Sequence, residues 1–350
     1  MASLPLITRR AIRWFWRQPP LHHGLSTQSP TGQHVYPPNT VRRLRRFFSA
    51  STRAATPMDL HLERIGPGNK EAAAGTNNPI LFLHGLLGHG RNLKTFAKQA
   101  CEVQGKEGYL MDLRGHGQSR LHLSNAGTTS SNHTFAACVG DIEHTVASRL
   151  AHNGPGIEST TLVGHSWGGR MALQYAHDQV SGRFNTSAAA VTLDRVWLLD
   201  TVPGQTNDSV ERVISVVTKL RHEELGSKQD LVERLTKQEG LDMATAQWLA
   251  SSYKGSGDFG FDLEVIQDIL PEFGTQDFEG MVTTLLQNQV RVELVRGGKN
   301  KAWDVATLNR LESMQRQYPM LFGLHVLPKA GHWVHIDDVK GLVSLFETHL

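Results

Sequence analysis

Ser166 sits at the centre of Gly164-His165-Ser166-Trp167-Gly168, a G-x-S-x-G pentapeptide. The preceding Thr160-Thr161-Leu162-Val163 is β-branched or apolar and reads as a strand, and Gly169 to Ala176 reads as a helix. A serine on so sharp a strand-to-helix turn has strained backbone angles, and glycines on both sides let helix and strand pack closely. The hydroxyl is then pushed out at the carboxyl end of a sheet, above a helix amino terminus whose N–H groups can meet an oxyanion. The predicted chemistry is nucleophilic attack by Ser166.

A serine hydroxyl needs a base to take its proton. His332, in Lys329-Ala330-Gly331-His332-Trp333, follows the last strand-like run and precedes a final helix over Val339 to Leu350. That placement selects it among 18 histidines and makes His335 a decoy. An acid must hold the imidazole tautomer and stabilise the imidazolium. Asp200 closes a strand in Leu199-Asp200-Thr201-Val202-Pro203 and is the first choice, with Asp304 or a cap acid such as Glu264 as alternatives. The oxyanion hole needs two backbone donors, and the N–H groups of Trp167 and Leu86 are expected to supply them. His84 is expected to orient the Leu86 loop, and the turn carrying Asp112, Arg114, His116 and Ser119 to brace the site.

These residues need a scaffold that brings strand ends together. From about residue 59 the chain alternates strand-like and helix-like stretches, the pattern of a parallel sheet wrapped by helices. Strand-like runs at 79–83, 108–112, 160–163, 195–200, 290–295 and 323–327 are each followed by polar or glycine residues. Open parallel sheets bind ligands at those carboxyl ends. Residues 201–289 break the rhythm, with helical periodicity over Val210 to Leu220, Asp230 to Lys237 and Ala244 to Tyr253. This segment reads as a cap or lid inserted before the penultimate strand. Val213, Val217, Leu249 and Phe261 are its candidate pocket-lining residues, though such spacing more often marks core.

Charge is unevenly placed. Residues 1–58 hold nine of the 36 basic residues, all arginine, and no acid; the remaining 27 basic residues meet 33 acids. The part expected to fold is therefore mildly acidic, which argues against a nucleic-acid binder. The leader puts Leu4, Ile7, Ala11, Trp14 and Phe15 on one helical face and arginines on the other. It reads as an organellar transit peptide, mitochondrial ahead of plastid, with a cut expected between Phe48 and Ser49. The domain then spans 59–350. No run approaches the roughly 18 apolar residues of a membrane span. Two cysteines, Cys101 and Cys138, offer neither a disulfide framework nor metal-ligand spacing.

Taken together, His84-Gly85-Leu86-Leu87-Gly88, Asp112 to Ser119, Gly164 to Gly169 and Gly331-His332 resemble the α/β-hydrolase fold enzymes over roughly residues 59–350. The chain order Ser, acid, His matches. In many of those enzymes the acid follows the strand that here covers Val290 to Val295, but the loop after it reads Gly297-Gly298-Lys299-Asn300-Lys301. The segments at 199–203, 295–300 and 330–335 are similar to the mitochondrial group called α/β-hydrolase domain-containing protein eleven and to small bacterial esterases. In the bacterial relatives the acid lies at the position matching Asp200. The resemblance implies hydrolysis of an acyl ester or thioester with no cofactor, through an acyl-enzyme on Ser166. Trp167, where methionine is usual, and an insertion around Phe184 to Leu193 depart from the group. The competing reading is a binding or assembly protein on a hydrolase scaffold. Acyl chain length, natural substrate and oligomeric state are not set by these residues.

Overall fold

A computed structural model describes residues 56–66, 78–120, 133–151, 157–184, 191–204, 208–221, 223 and 225–349. The expected leader helix and cleavage point lie outside them, as does most of the insertion at 184–193. Seven strands form one sheet: β1 (Leu62–Ile65), β2 (Ile80–Leu83), β3 (Gly108–Met111), β4 (Ser159–His165), β5 (Thr192–Leu199), β6 (Arg291–Gly297) and β7 (Phe322–Leu327). Their order is β1-β3-β2-β4-β5-β6-β7, and β1 alone runs antiparallel to its neighbour. The six apolar runs of the sequence are β2 to β7. The added edge strand, Leu-Glu-Arg-Ile, has a mixed burial pattern that no apolar run announces.

Helices α1 (Lys94–Gln104), α2 (Phe135–Thr145) and α3 (Trp167–Val180) follow β2, β3 and β4. Between β5 and β6 lie α4 (Asp208–Leu220), α5 (Lys228–Lys237), α6 (Met243–Ser252), α7 (Leu263–Ile269) and α8 (Phe278–Gln287). Helix α9 (Val305–Gln317) precedes β7, and α10 (Val334–Asp337) and α11 (Val339–Thr348) follow it. The result is the expected mostly parallel sheet wrapped by helices, with the cap before the penultimate strand.

Side chains alternate across the sheet with the period of a strand. Phe82, Leu110, Val163, Trp197 and Val295 pack on one face against Phe96 of α1 and Leu342 and Phe346 of α11. Trp197 and Phe346 stack at 3.9 Å. Leu81, Met111, Leu162, Leu198 and Leu294 face the other way, towards Val139 of α2, Met171 of α3 and Leu285 of α8. Full burial of each such side chain contributes about 1.5–3 kcal/mol.

The cap is segmented by its own helix starts. Ser227, Asp242, Asp262 and Asp277 cap α5, α6, α7 and α8, each accepting a first-turn backbone N–H. Of the four candidate lining residues, Val213 reaches the cavity described below. Val217, Leu249 and Phe261 pack into the core. Arg170 of α3 fastens the cap to the sheet. It is 4% exposed and donates to the carbonyls of Val202, Gly204 and Phe273 at 2.6, 2.5 and 2.9 Å.

The chain steps outward from β2 to β3, then crosses back over β2 to β4. Crossovers thus diverge between β2 and β4, where open sheets bind ligands. The loop at His84-Gly85 and the turn at Ser166 leave the sheet at that point.

Candidate active site

Ser166 is the N-cap of α3, with φ 54° and ψ −115°. A β-carbon on Gly164 would overlap the Gly168 carbonyl, which is why the turn needs its glycines. Five described non-glycine residues have positive φ, and Leu87, Ser166 and Asp200 are three of them. Backbone strain is therefore concentrated in three strand-end loops that border one cavity.

That cavity has a volume of about 420 Å³, and Leu86, Ser166, Trp167, Asp200 and His332 all line it. Apolar walls come from Leu87, Val202, Val210, Val213, Trp248 and Phe273, so cap and sheet both contribute.

Asp200 is fully buried and its carboxylate is saturated with donors. Oδ1 accepts from the Gly297 N–H and the Trp303 indole N–H, both at 2.9 Å. Oδ2 accepts from Nδ1 of His332 at 2.7 Å and from the Asn300 amide at 2.5 Å. With Nδ1 donating, a neutral His332 carries its free lone pair on Nε2, the tautomer a general base requires. The His332 side chain is 38% exposed, open enough to exchange protons with a bound molecule.

The alternative acids lie elsewhere. Asp304 is exposed and caps α9, accepting from the Thr307 N–H at 2.8 Å and the Thr307 hydroxyl at 2.7 Å. Its carboxyl is held below the usual range by those bonds. Glu264 is exposed on the first turn of α7.

The loop carrying Leu86 is cross-tied to the turn after β3 by two buried histidines. His84 accepts the Leu113 N–H on Nε2 at 3.0 Å, and His116 accepts the Leu87 N–H on Nε2 at 3.1 Å. Their Nδ1 atoms bond the carbonyls of Gly85 and Arg114 at 2.7 and 2.8 Å, so each ring is neutral with its proton on Nδ1. Burial pushes both down to about 3. The Leu87 N–H is thereby committed, and the Gly88 N–H bonds the Gly85 carbonyl. The Leu86 N–H carries no such bond among the described residues. Trp167 is the first residue of α3, where a backbone N–H has no intrahelical acceptor. These are the two donors the sequence singles out. Asp112 braces the same region, accepting from the Gly90 and Gln118 N–H groups at 2.7 and 2.8 Å.

Three contributors were not read from the sequence. Asn300 and Trp303 hold Asp200. His165 bonds the His332 carbonyl through Nε2 at 2.9 Å, and its ring lies 4.8 Å from the His332 ring and 4.5 Å from that of His335. Burial, reinforced by the neighbouring histidines, holds His165 well below the usual histidine range. His335 is pushed down to about 3 by burial and the adjacent His332 charge. The only signal for these roles was adjacency, His165 to Ser166 and Asn300 to a strand end.

Comparison with known proteins agrees with this fold. Residues 80–345 match the model of the alpha/beta hydrolase family. A zebrafish protein, sn-1-specific diacylglycerol lipase ABHD11, is 24% identical over 330 residues, covering 89% of this chain and 88% of its own. Esterase YbfF of Escherichia coli is 22% identical over 291 residues, covering 78% of this chain and 93% of its own. Among solved structures, E-2-(acetamidomethylene)succinate hydrolase superposes with a TM-score of 0.59 at 16% identity, over 83% of this chain and 94% of its own. Sheet order, strand-end loops and a family match over most of its length establish that the chain belongs to the alpha/beta hydrolase family.

Proposed function

We propose that the protein is a serine hydrolase of carboxylic esters or thioesters, with Ser166 as nucleophile, His332 as general base and Asp200 as the acid that orients it. The observation that carries this reading is the Asp200–His332 pair, 2.7 Å apart, lining the same cavity as Ser166. The lipase and esterase names of its relatives support the substrate class.

His332 Nε2 takes the Ser166 proton as Oγ bonds to the carbonyl carbon. The N–H groups of Leu86 and Trp167 receive the oxyanion. The tetrahedral adduct collapses, the bond to the leaving oxygen or sulfur breaks, and His332 returns its proton to that atom. Water then attacks the acyl-enzyme with His332 again as base, regenerating the serine. Asp200 keeps the His332 ring oriented throughout, itself held in place by the Gly297, Trp303 and Asn300 donors. Apolar walls in a cavity of about 420 Å³ suit an acyl chain rather than a charged one. The arginine-rich, acid-free leader over residues 1–58 supports a mitochondrial site of action. No described helix is long and apolar enough to cross a membrane.

A fluorophosphonate probe tests the nucleophile. The full chain should gain one adduct, mapped by peptide mass spectrometry to Ser166 and lost in Ser166→Ala. No labelling of Ser166 would favour a binding scaffold instead.

A further inference from the structure

Asn300 is placed where its side chain can act on the acid–base pair. It lies in the loop after β6, the loop in which the resembling enzymes often carry their acid. Here the acid comes from the end of β5, and an amide occupies the loop. That amide donates to Oδ2 of Asp200 at 2.5 Å, the same oxygen that accepts His332 Nδ1 at 2.7 Å. The other carboxylate oxygen is held by Gly297 and Trp303. Asn300 is itself fixed, because its Oδ1 accepts the Ala302 N–H at 3.0 Å and its own N–H bonds the Gly297 carbonyl at 3.2 Å. The adjacent Lys299 N–H bonds the Ala330 carbonyl at 2.9 Å, tying this loop to the one that carries His332.

We propose that Asn300 is a positioning residue that sets the basicity of His332 by sharing one oxygen of Asp200 with it. The proposal rests on the triad reading above. A carboxylate oxygen that accepts two donors gives less of its charge to each. The amide therefore weakens the hold of Asp200 on an imidazolium at 332, and the base releases its proton more readily. The other titratable groups near His332 are His165 and His335, both buried and neutral, and Asp337, whose carboxylate accepts the Gly331 N–H at 2.7 Å. Lys299 and Lys301, the exposed neighbours of Asn300, and the exposed Asp304 that caps α9 complete the charged groups of its loop.

The readout is the acidic limb of kcat/KM against pH, which reports the base that must be unprotonated. The full chain would be assayed with p-nitrophenyl butyrate beside Asn300→Leu and Asn300→Asp. Removing the amide should move the limb up by about half a pH unit. Asn300→Asp puts a second carboxylate against Oδ2 and should move it up by about one unit. That variant is nearly isosteric and keeps the oxygen that Ala302 needs, so it tests the proposal even if the leucine variant folds poorly. A merely structural role would lower the plateau and leave the limb in place. Limbs within about 0.2 pH units of the native one in the folded variants would overturn the proposal. Failure of the triad reading has a different signature, since Ser166→Ala would then keep native turnover.

Discussion

Oδ2 of Asp200 and Nδ1 of His332 meet at 2.7 Å although 132 residues separate them in the chain. The parallel sheet makes this contact, because β5 and β7 both flank β6 and end on the same edge. Asp200→Asn would leave the packing and the two bonds at Oδ1 nearly intact while reversing the hydrogen-bond polarity towards Nδ1 of His332 and the Asn300 amide. The amide would favour the wrong imidazole tautomer, and kcat should fall by about 10³–10⁴. Asp304→Ala is the matched control. Loss of a helix N-cap should cost about 1 kcal/mol of stability and leave kcat/KM within about threefold of native. A collapse of turnover in Asp304→Ala with Asp200→Asn active would reverse the assignment.

The strained turn at Ser166 gives a prediction about stability. With φ 54° and ψ −115° the serine occupies a backbone region that glycine tolerates. Ser166→Gly should abolish hydrolysis yet stabilise the fold by about 1 kcal/mol, raising the melting temperature by about 1–4 °C. Differential scanning calorimetry beside Ser166→Ala checks this. A glycine variant melting below the alanine one would show that the turn is unstrained.

The paired histidines behind the Leu86 loop predict acid sensitivity. In the fold His84 and His116 titrate at about 3, below the ordinary unfolded value of roughly 6.5. Between those values the unfolded chain binds more protons, so stability must fall as pH falls. Each histidine contributes about 1.4 kcal/mol per pH unit in that window. Protonation also puts a hydrogen on the nitrogen that accepts the Leu113 or Leu87 N–H. In His116→Gln the amide oxygen can accept the Leu87 N–H without titrating. Denaturant midpoints from pH 7 to pH 5 should fall less steeply in that variant, and equal slopes would contradict the assignment.

Most of the scaffold was legible because its signals are local. Six strands are short apolar runs that stop at polar or glycine residues, and Gly164 to Gly168 marks the turn in five residues. Strand β1 was not legible, since Leu62 to Ile65 alternates no better than many surface segments. The cap was read as three helices where the structure has five. The two not read, α7 and α8, are set by Asp262 and Asp277 caps that single residues announce weakly. The choice of Asp200 over Asp304 was partly legible from its strand end. The contacts that support it as the proposed acid were not, because the Gly297 N–H and the Trp303 indole arrive from 97 and 103 residues away. Such contacts exist only once β5 and β6 pair.

Arg170 carries a further prediction. Burial lowers its guanidinium to about 10, and backbone carbonyls satisfy it. Arg170→Met would strand three carbonyls between cap and sheet and should destabilise the protein by about 2–4 kcal/mol. Arg170→Lys restores a charge without the planar fork and should recover only part of that loss. Chemical denaturation decides it. Native stability in Arg170→Met would mean that the cap is held by apolar packing alone.

The most direct test of the central claim is hydrolysis of p-nitrophenyl esters and acyl thioesters of graded chain length by the full chain and by Ser166→Ala. The predicted result is measurable turnover by the native protein, with a preferred chain length set by the cavity, and a fall of about 10³-fold or more in the alanine variant. Equal turnover by the two proteins would contradict an acyl-enzyme on Ser166.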